Sequence, residues 1–277
     1  MKYIDAHSHI WTPDTAHYPL AAGFRRANMQ PPSFTVEELQ AQMKPAGVNR
    51  VVLIQMSFYG YDNDYMLDTI ERFPDQFVGV AVIDQNAQDP EIRMGRLQKQ
   101  GVTGFRIYPK DQPVERWLDN EGLRKMFAFG AKRNLNMCCL IDTDALPSLD
   151  KTCREFPETP VVIDHLCRIG TDGKIREADV RALCDMAVHK NVTVKVSAFY
   201  ALGKKTPPYK DLGPMIRQVY DAYGPERLMW ATDCPFQVVD HTYLQSIELI
   251  EKQLDFLTAD DREWILRKTA ERVFFRS

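Results

Sequence analysis

Tyr3-Ile4-Asp5-Ala6-His7-Ser8-His9-Ile10-Trp11 opens the chain as a strand-like run that ends in two histidines. In a doubly wound nucleotide-binding sheet, the first strand is followed by a glycine-rich phosphate turn. Here His-Ser-His stands in that place, which argues against that fold. Working outward, seven more β-branched runs follow: Arg50–Gln55, Phe77–Ile83, Val102–Ile107, Asn136–Ile141, Pro160–His165, Val192–Ser197 and Leu228–Asp233. Helical patterns lie between and after them, near 35–44, 62–73, 89–100, 120–133, 144–156, 177–189, 211–223 and 240–256. Eight strands alternating with eight helices is the count of a (β/α)8 TIM barrel, whose usual size of about 250 residues makes one domain. The α/β chain is therefore read as a single barrel domain over 1–277, with residues after about 258 added as a C-terminal helical pair. Thr35, Asp62 and Asp119 read as helix starts, and Gly101, Gly130 and Gly224 as helix stops.

Composition narrows the function. Lys and Arg number 35 against 38 Asp and Glu, a net charge of −3 that lacks the basic footprint nucleic acids or anionic membranes require. No apolar run approaches the ~18 residues of a membrane span. The N-terminal residues carry no apolar signal region, so a cytoplasmic location is expected. The six cysteines contain no CxxC pair and suit neither a zinc ribbon nor a disulfide scaffold, so they read as free core thiols. The expected partner is a small-molecule substrate, with homo-oligomerisation compatible with the sequence.

The chemistry gathers at strand ends. Side chains alternate along a strand, so His7 and His9 share a face and point into the barrel near its C-terminal mouth. Asp5 shares that phase lower down, which suits a structural hydrogen bond. Imidazoles so placed can hold one divalent ion together with a carboxylate. His165 tops the sixth strand and Asp233 the eighth, just before Cys234-Pro235. On the seventh strand Val192, Val194 and Val196 suit the helix-facing side, leaving Lys195 and Ser197 inward. On the fourth, Arg106 and Tyr108 face inward by the same rule. These residues make a site for water attack on a carbonyl. Asp233 takes the proton, Arg106 and Lys195 hold an acidic or hydroxyl-rich substrate, and Ser197, Tyr59, Tyr108 and Tyr200 supply hydroxyls. His17, His189 and His241 have no such context, and His189 reads as solvated. One of Cys138 and Cys139 must face inward, as a core thiol. The segment Trp11–Pro32 reads as a loop over the mouth, and with Tyr200–Pro208 as one of the loops that set substrate specificity.

Ile4-Asp5-Ala6-His7-Ser8-His9-Ile10-Trp11, with Thr12-Pro13-Asp14 and Tyr18-Pro19-Leu20, resembles the opening of the amidohydrolase-2 branch of the metal-dependent hydrolases. Gly104-Phe105-Arg106, Ile163-Asp164-His165, Val194-Lys195-Val196-Ser197 and Trp230-Ala231-Thr232-Asp233-Cys234-Pro235 match its later strand-end motifs in order, and Thr269-Ala270-Glu271-Arg272-Val273-Phe274 its final helix. Within the branch the chain is most similar to the group of sugar-acid lactonases and 2-pyrone-4,6-dicarboxylate lactonase. That resemblance implies hydrolysis of a cyclic ester, with Asp233 as general base and His7, His9 and His165 as metal ligands or carbonyl polarisers. The superfamily's bridging lysine on strand four and histidine on strand five are absent, with Arg106 and Cys138-Cys139 in those regions. The expectation is thus at most one divalent ion, zinc or manganese, on His7, His9, His165 and Asp233, with a metal-free lactonase as the other option. The one-metal decarboxylases of small aromatic or unsaturated acids share the same four residues and form the alternative.

Overall fold

The computed structural model describes residues 3–109 and 113–276. Eight parallel strands form one sheet in sequential order: β1 (Tyr3–Ser8), β2 (Val48–Ile54), β3 (Phe77–Ala81), β4 (Val102–Ile107), β5 (Asn136–Cys139), β6 (Val161–Ile163), β7 (Val192–Ser197) and β8 (Leu228–Ala231). The sheet curls until its first and last strands meet. Ser8 bridges Cys234 in parallel, Asp233 N–H donates to His7 O at 2.9 Å, and His9 N–H donates to Cys234 O at 2.7 Å. The expected (β/α)8 barrel is what forms.

The helices of the outer layer are α1 (Val36–Met43), α2 (Asp64–Arg72), α3 (Pro90–Gln98), α4 (Glu121–Arg133), α5 (Leu146–Glu155), α6 (Glu177–Asp185), α7 (Gly213–Tyr223), α8 (Gln237–Asp240) and α9 (Tyr243–Glu248). Thr35 caps α1 in a reciprocal box with Glu38. Asn120, not Asp119, caps α4 through Leu123 N–H at 3.0 Å. Gly130 does not end that helix. It sits inside α4 against Leu135 O, and Asn134 stops the helix in the left-handed conformation. The expected C-terminal pair is instead one continuous helical run, α10 (Ala259–Glu263), a wider turn over Trp264–Lys268 and α11 (Thr269–Phe274). All six cysteines are free, and five are buried. His189 is not solvated; its Nε2 pairs with Asp150 at 2.7 Å.

Two apolar layers result. Leu, Phe and Val side chains from the outer faces of the strands pack on the helices. Inside the barrel a smaller cluster joins Ile4, Ala6, Val52, Ile54, Val80, Cys138, Val162, Met229 and Ala231, closed from beneath by Ala270, Val273 and Phe274 of α11. This fill makes the lower interior mainly apolar, with Asn136 donating to Val273 O beneath it, and the ionisable groups gather in the upper half. No described helix is long and apolar enough to cross a membrane.

Strand β1 departs from simple alternation at its end. Asp5 pairs with Val51 but Ser8 pairs with Leu53, so β1 takes one residue more than β2 over that step. The bulge separates Asp5 from His7. Asp5 turns toward the helices, where its carboxylate accepts from Thr232 N–H at 3.0 Å and Tyr243 O–H at 2.6 Å. The expectation that Asp5 shares the face of His7 is therefore corrected, while its structural role stands: it ties β1 to β8 and α9.

Candidate active site

A cavity of about 820 Å³ opens at the C-terminal mouth of the barrel. His9, Arg106, Tyr108, His165, Tyr200 and Asp233 line it, with Ala21, Ala22 and Phe24 from the first loop and Ala201 and Leu202 from the seventh. The first loop, expected over the mouth, does lie there, and residues of the Tyr200–Pro208 loop join it. Arg106 has no carboxylate partner among the described residues. Arg168, which sequence reasoning did not single out, also faces the cavity and sits 3.4 Å from Asp142.

The floor is a packed cluster. Nε2 of His9 lies 3.1 Å from Asp233 Oδ1 and 3.3 Å from Nε2 of His7, which is itself 3.4 Å from the same oxygen. Tyr200 O–H donates to Asp233 Oδ2 at 2.7 Å, and His165 Nε2 stands 3.9 Å from it. Behind His165, Nδ1 meets Ser197 Oγ at 2.9 Å. Ser197 Oγ also lies 3.4 Å from Lys195 O, and the ring of His165 faces the cavity.

Backbone conformation decides which residues reach this floor. On β6, Val162 points inward, so alternation sends Asp164 inward and His165 out. The chain then makes a left-handed turn, with φ of 54°, 50°, 54° and 57° from His165 to Arg168, and this swings His165 back over the mouth. Ala198 after β7 and Asp233 after β8 are left-handed too, at 55° and 65°. Each such non-glycine residue costs roughly 1–2 kcal/mol and persists where its surroundings hold it, often at functional sites.

Three expected substrate contacts lie elsewhere. Lys195 and Ser197 are fully buried beneath the cavity lining. The Lys195 ammonium is 3.0 Å from Asp164 Oδ1 and 3.1 Å from His7 Nδ1, so it supports the floor from below. Tyr59 is also apart from the cavity, where its hydroxyl accepts Thr12 N–H at 3.1 Å. Asp164 is the component that sequence reasoning overlooked. Its signal was present, since it is two residues beyond Val162 on one strand face.

Burial pushes His7 well below the ordinary 6.5, and the Lys195 ammonium, then repulsion from His165 whenever that ring is protonated, add to the effect. Burial also lowers His165, outweighing the opposite pull of Asp233 and Asp164. Burial alone would raise Asp233, but the imidazoles of His165, His9 and His7 hold it well below the usual carboxylate range. At neutral pH the floor thus holds an ionised Asp233 beside His7 and His165, both of which resist protonation.

This donor set suits a metal ion. His7, His9 and Asp233 present three ligand atoms within 4.8 Å of one another, and His7, Asp164 and His165 form a second such group. The first is the better candidate. Nδ1 of His9 donates to Ile54 O at 2.8 Å, so its Nε2 is a bare lone pair facing a carboxylate oxygen 3.1 Å away. Two acceptors so close require a hydrogen or a cation between them. Nitrogen and carboxylate donors together fit zinc or manganese.

The profile of the family described as Amidohydrolase matches residues 4–276, and the chain belongs to that family of enzymes. Among proteins of known activity, it is 28% identical over 233 residues to 4-sulfomuconolactone hydrolase of Rhizobium radiobacter, covering 83% of this chain and 75% of that one. It is 26% identical over 238 residues to L-fucono-1,5-lactonase of Burkholderia ambifaria, covering 84% and 80%. A crystal structure of a probable 2-pyrone-4,6-dicarboxylic acid hydrolase from Acinetobacter baumannii, with citric acid bound, superposes with a TM-score of 0.82. The two share 23% identity over 100% of both chains, which shows the common fold.

Proposed function

We propose that this amidohydrolase opens a lactone of a sugar acid or small carboxylic acid by hydrolysis, with Asp233 as general base. The observation that carries the reading is the ionised Asp233 carboxylate on the cavity floor, with one oxygen toward His7 and His9 and the other held by Tyr200. Similarity to a sulfomuconolactone hydrolase and a fuconolactonase supports a cyclic ester as substrate. Water beside Asp233 bonds to the lactone carbonyl carbon as its proton passes to the carboxylate. The acyl carbon–ring oxygen bond then breaks, and the proton returns to the ring oxygen. One water is consumed and a hydroxy acid leaves. His165, with Nε2 close to Asp233, serves as a relay for that proton. Arg106 anchors the substrate's anionic group through its planar fork, with Tyr108 beside it. A zinc or manganese ion held by His7, His9 and Asp233, with His165 alongside, would supply carbonyl polarisation or a more acidic water.

The test is a lactone panel run in water enriched in oxygen-18, with metal content measured in parallel. The expected product is a hydroxy acid carrying one labelled carboxylate oxygen. Decarboxylation of aromatic or unsaturated acids, with release of carbon dioxide and no lactone opening, would overturn the proposal.

A further inference from the structure

Lys195 is sealed inside the barrel, and its surroundings are fully specified. The ammonium lies over the Phe274 ring at 5.4 Å, with Asp164 Oδ1 at 3.0 Å and His7 Nδ1 at 3.1 Å. An ammonium has three N–H groups and no lone pair, so toward His7 it can only donate. A ring nitrogen that accepts carries no hydrogen, and in a neutral imidazole the one hydrogen then sits on the other nitrogen. His7 therefore holds its hydrogen on Nε2. His9 is the opposite tautomer, because Ile54 O can only accept and so takes a hydrogen from Nδ1.

The two tautomers interlock. Nε2–H of His7 points to His9 Nε2 at 3.3 Å and Asp233 Oδ1 at 3.4 Å, the two acceptors that otherwise face each other bare. Asp164 completes the arrangement from the other side. It is fully buried, neither of its oxygens accepts a directed hydrogen bond, and one lies 3.5 Å from His7 Nδ1. Charge alone ties it to Lys195.

We propose that Lys195, fixed by Asp164, is a positioning residue that keeps His7 in the Nε2–H tautomer and thereby weakens the hold of the His7–His9–Asp233 triangle on a divalent ion. A hydrogen on Nε2 occupies the place where the ion would sit. Without the ammonium, the nearest group to Nδ1 is the unpartnered Asp164 oxygen, an acceptor. The hydrogen moves to Nδ1, and Nε2 turns a lone pair to the triangle. A carboxylate behind a ligating histidine strengthens metal binding, with effects of about 10–100-fold when such partners are altered. The inference holds whichever bond the enzyme breaks, because tautomer and metal affinity are read without substrate.

The experiment uses the metal-free full chain with histidine labelled in nitrogen-15, its signals assigned with His7→Gln and His9→Gln. Wild type should show the hydrogen of His7 on Nε2 and that of His9 on Nδ1. In Lys195→Met, His7 should switch to Nδ1–H, and zinc affinity, measured by competition with a chromophoric chelator, should tighten by about 10–100-fold. Because that variant leaves Asp164 buried without a counter-charge, Lys195→Met/Asp164→Asn carries the same expectation in a neutral setting, with the amide oxygen as acceptor. A hydrogen on His7 Nδ1 in wild type would overturn the proposal. So would an unchanged tautomer and zinc affinity in whichever of the two variants folds.

Discussion

The lower and upper halves of the barrel interior are built from the same eight strands and hold opposite chemistry. Below, Ile4, Val52, Val80, Val162 and Met229 meet Phe274 in a dry cluster. Above, one or two strand positions further along, Asp164, Lys195, His7 and Asp233 replace them at equal burial. The lower half gains stability from every methylene it hides. The upper half must offset the desolvation of charges through mutual contacts such as Lys195 to Asp164, and such buried pairs often contribute little net stability. Stability and chemistry are thus separated along the barrel axis, which lets the mouth hold a costly site on a firm base.

The separation predicts that substitutions above change rate and substitutions below change stability. Asp233→Asn should lose about 10²–10⁴-fold in turnover, roughly 3–5 kcal/mol of barrier, in protein that still folds. Steady-state kinetics on the lactone found by the panel, with metal content matched, makes that comparison. Met229→Ala, four residues before Asp233, should cost about 2–5 kcal/mol in urea unfolding and leave the rate of the folded fraction intact. A large rate loss there would show the two halves to be coupled.

Acid offers a third probe. His7 and His165 titrate below the ordinary 6.5 when folded, so the unfolded chain binds more protons just under that value. Their contribution is complete above pH 6.5 and is lost as pH falls, by up to about 1.4 kcal/mol per pH unit for each histidine. Asp233, also lowered, has the same sign: its contribution is present above the ordinary 3.8 and disappears as pH falls further. Unfolding of metal-free protein at pH 7 and pH 5 should show the loss, and His165→Gln should reduce it. The smallest effect is expected at the boundary between the halves. Ile54→Val trims the dry cluster but keeps the carbonyl that receives His9 Nδ1–H. It should cost about 0.5–1.5 kcal/mol of stability without altering turnover.

Much of this was legible in sequence. Alternation of period two placed Val194 outward and Lys195 inward on β7, and both lie so. His7, His9, His165 and Asp233 could be picked out because each stands at the end of an apolar run. Asp164 was legible in the same way, from Val162 two residues before it, but its histidine neighbour drew the reading. Asp5 and Tyr59 were misread for a different reason. A bulge in β1 and the Thr12 N–H facing Tyr59 are relations between segments, and neither leaves a mark on local periodicity.

The sequence alone thus determined the eightfold alternation, the inward face of each regular strand and the residue types that crown them, because hydrophobic period is a local property. Tertiary structure decided the rest. The left-handed turn at His165–Arg168 swings one histidine over the mouth, the bulge after Asp5 turns another inward, and Lys195 ends beneath His7, 188 positions away in the chain. Such contacts arise from barrel closure. The strained backbone at these strand tops is held by packing and hydrogen bonds from many strands at once, which no single segment encodes.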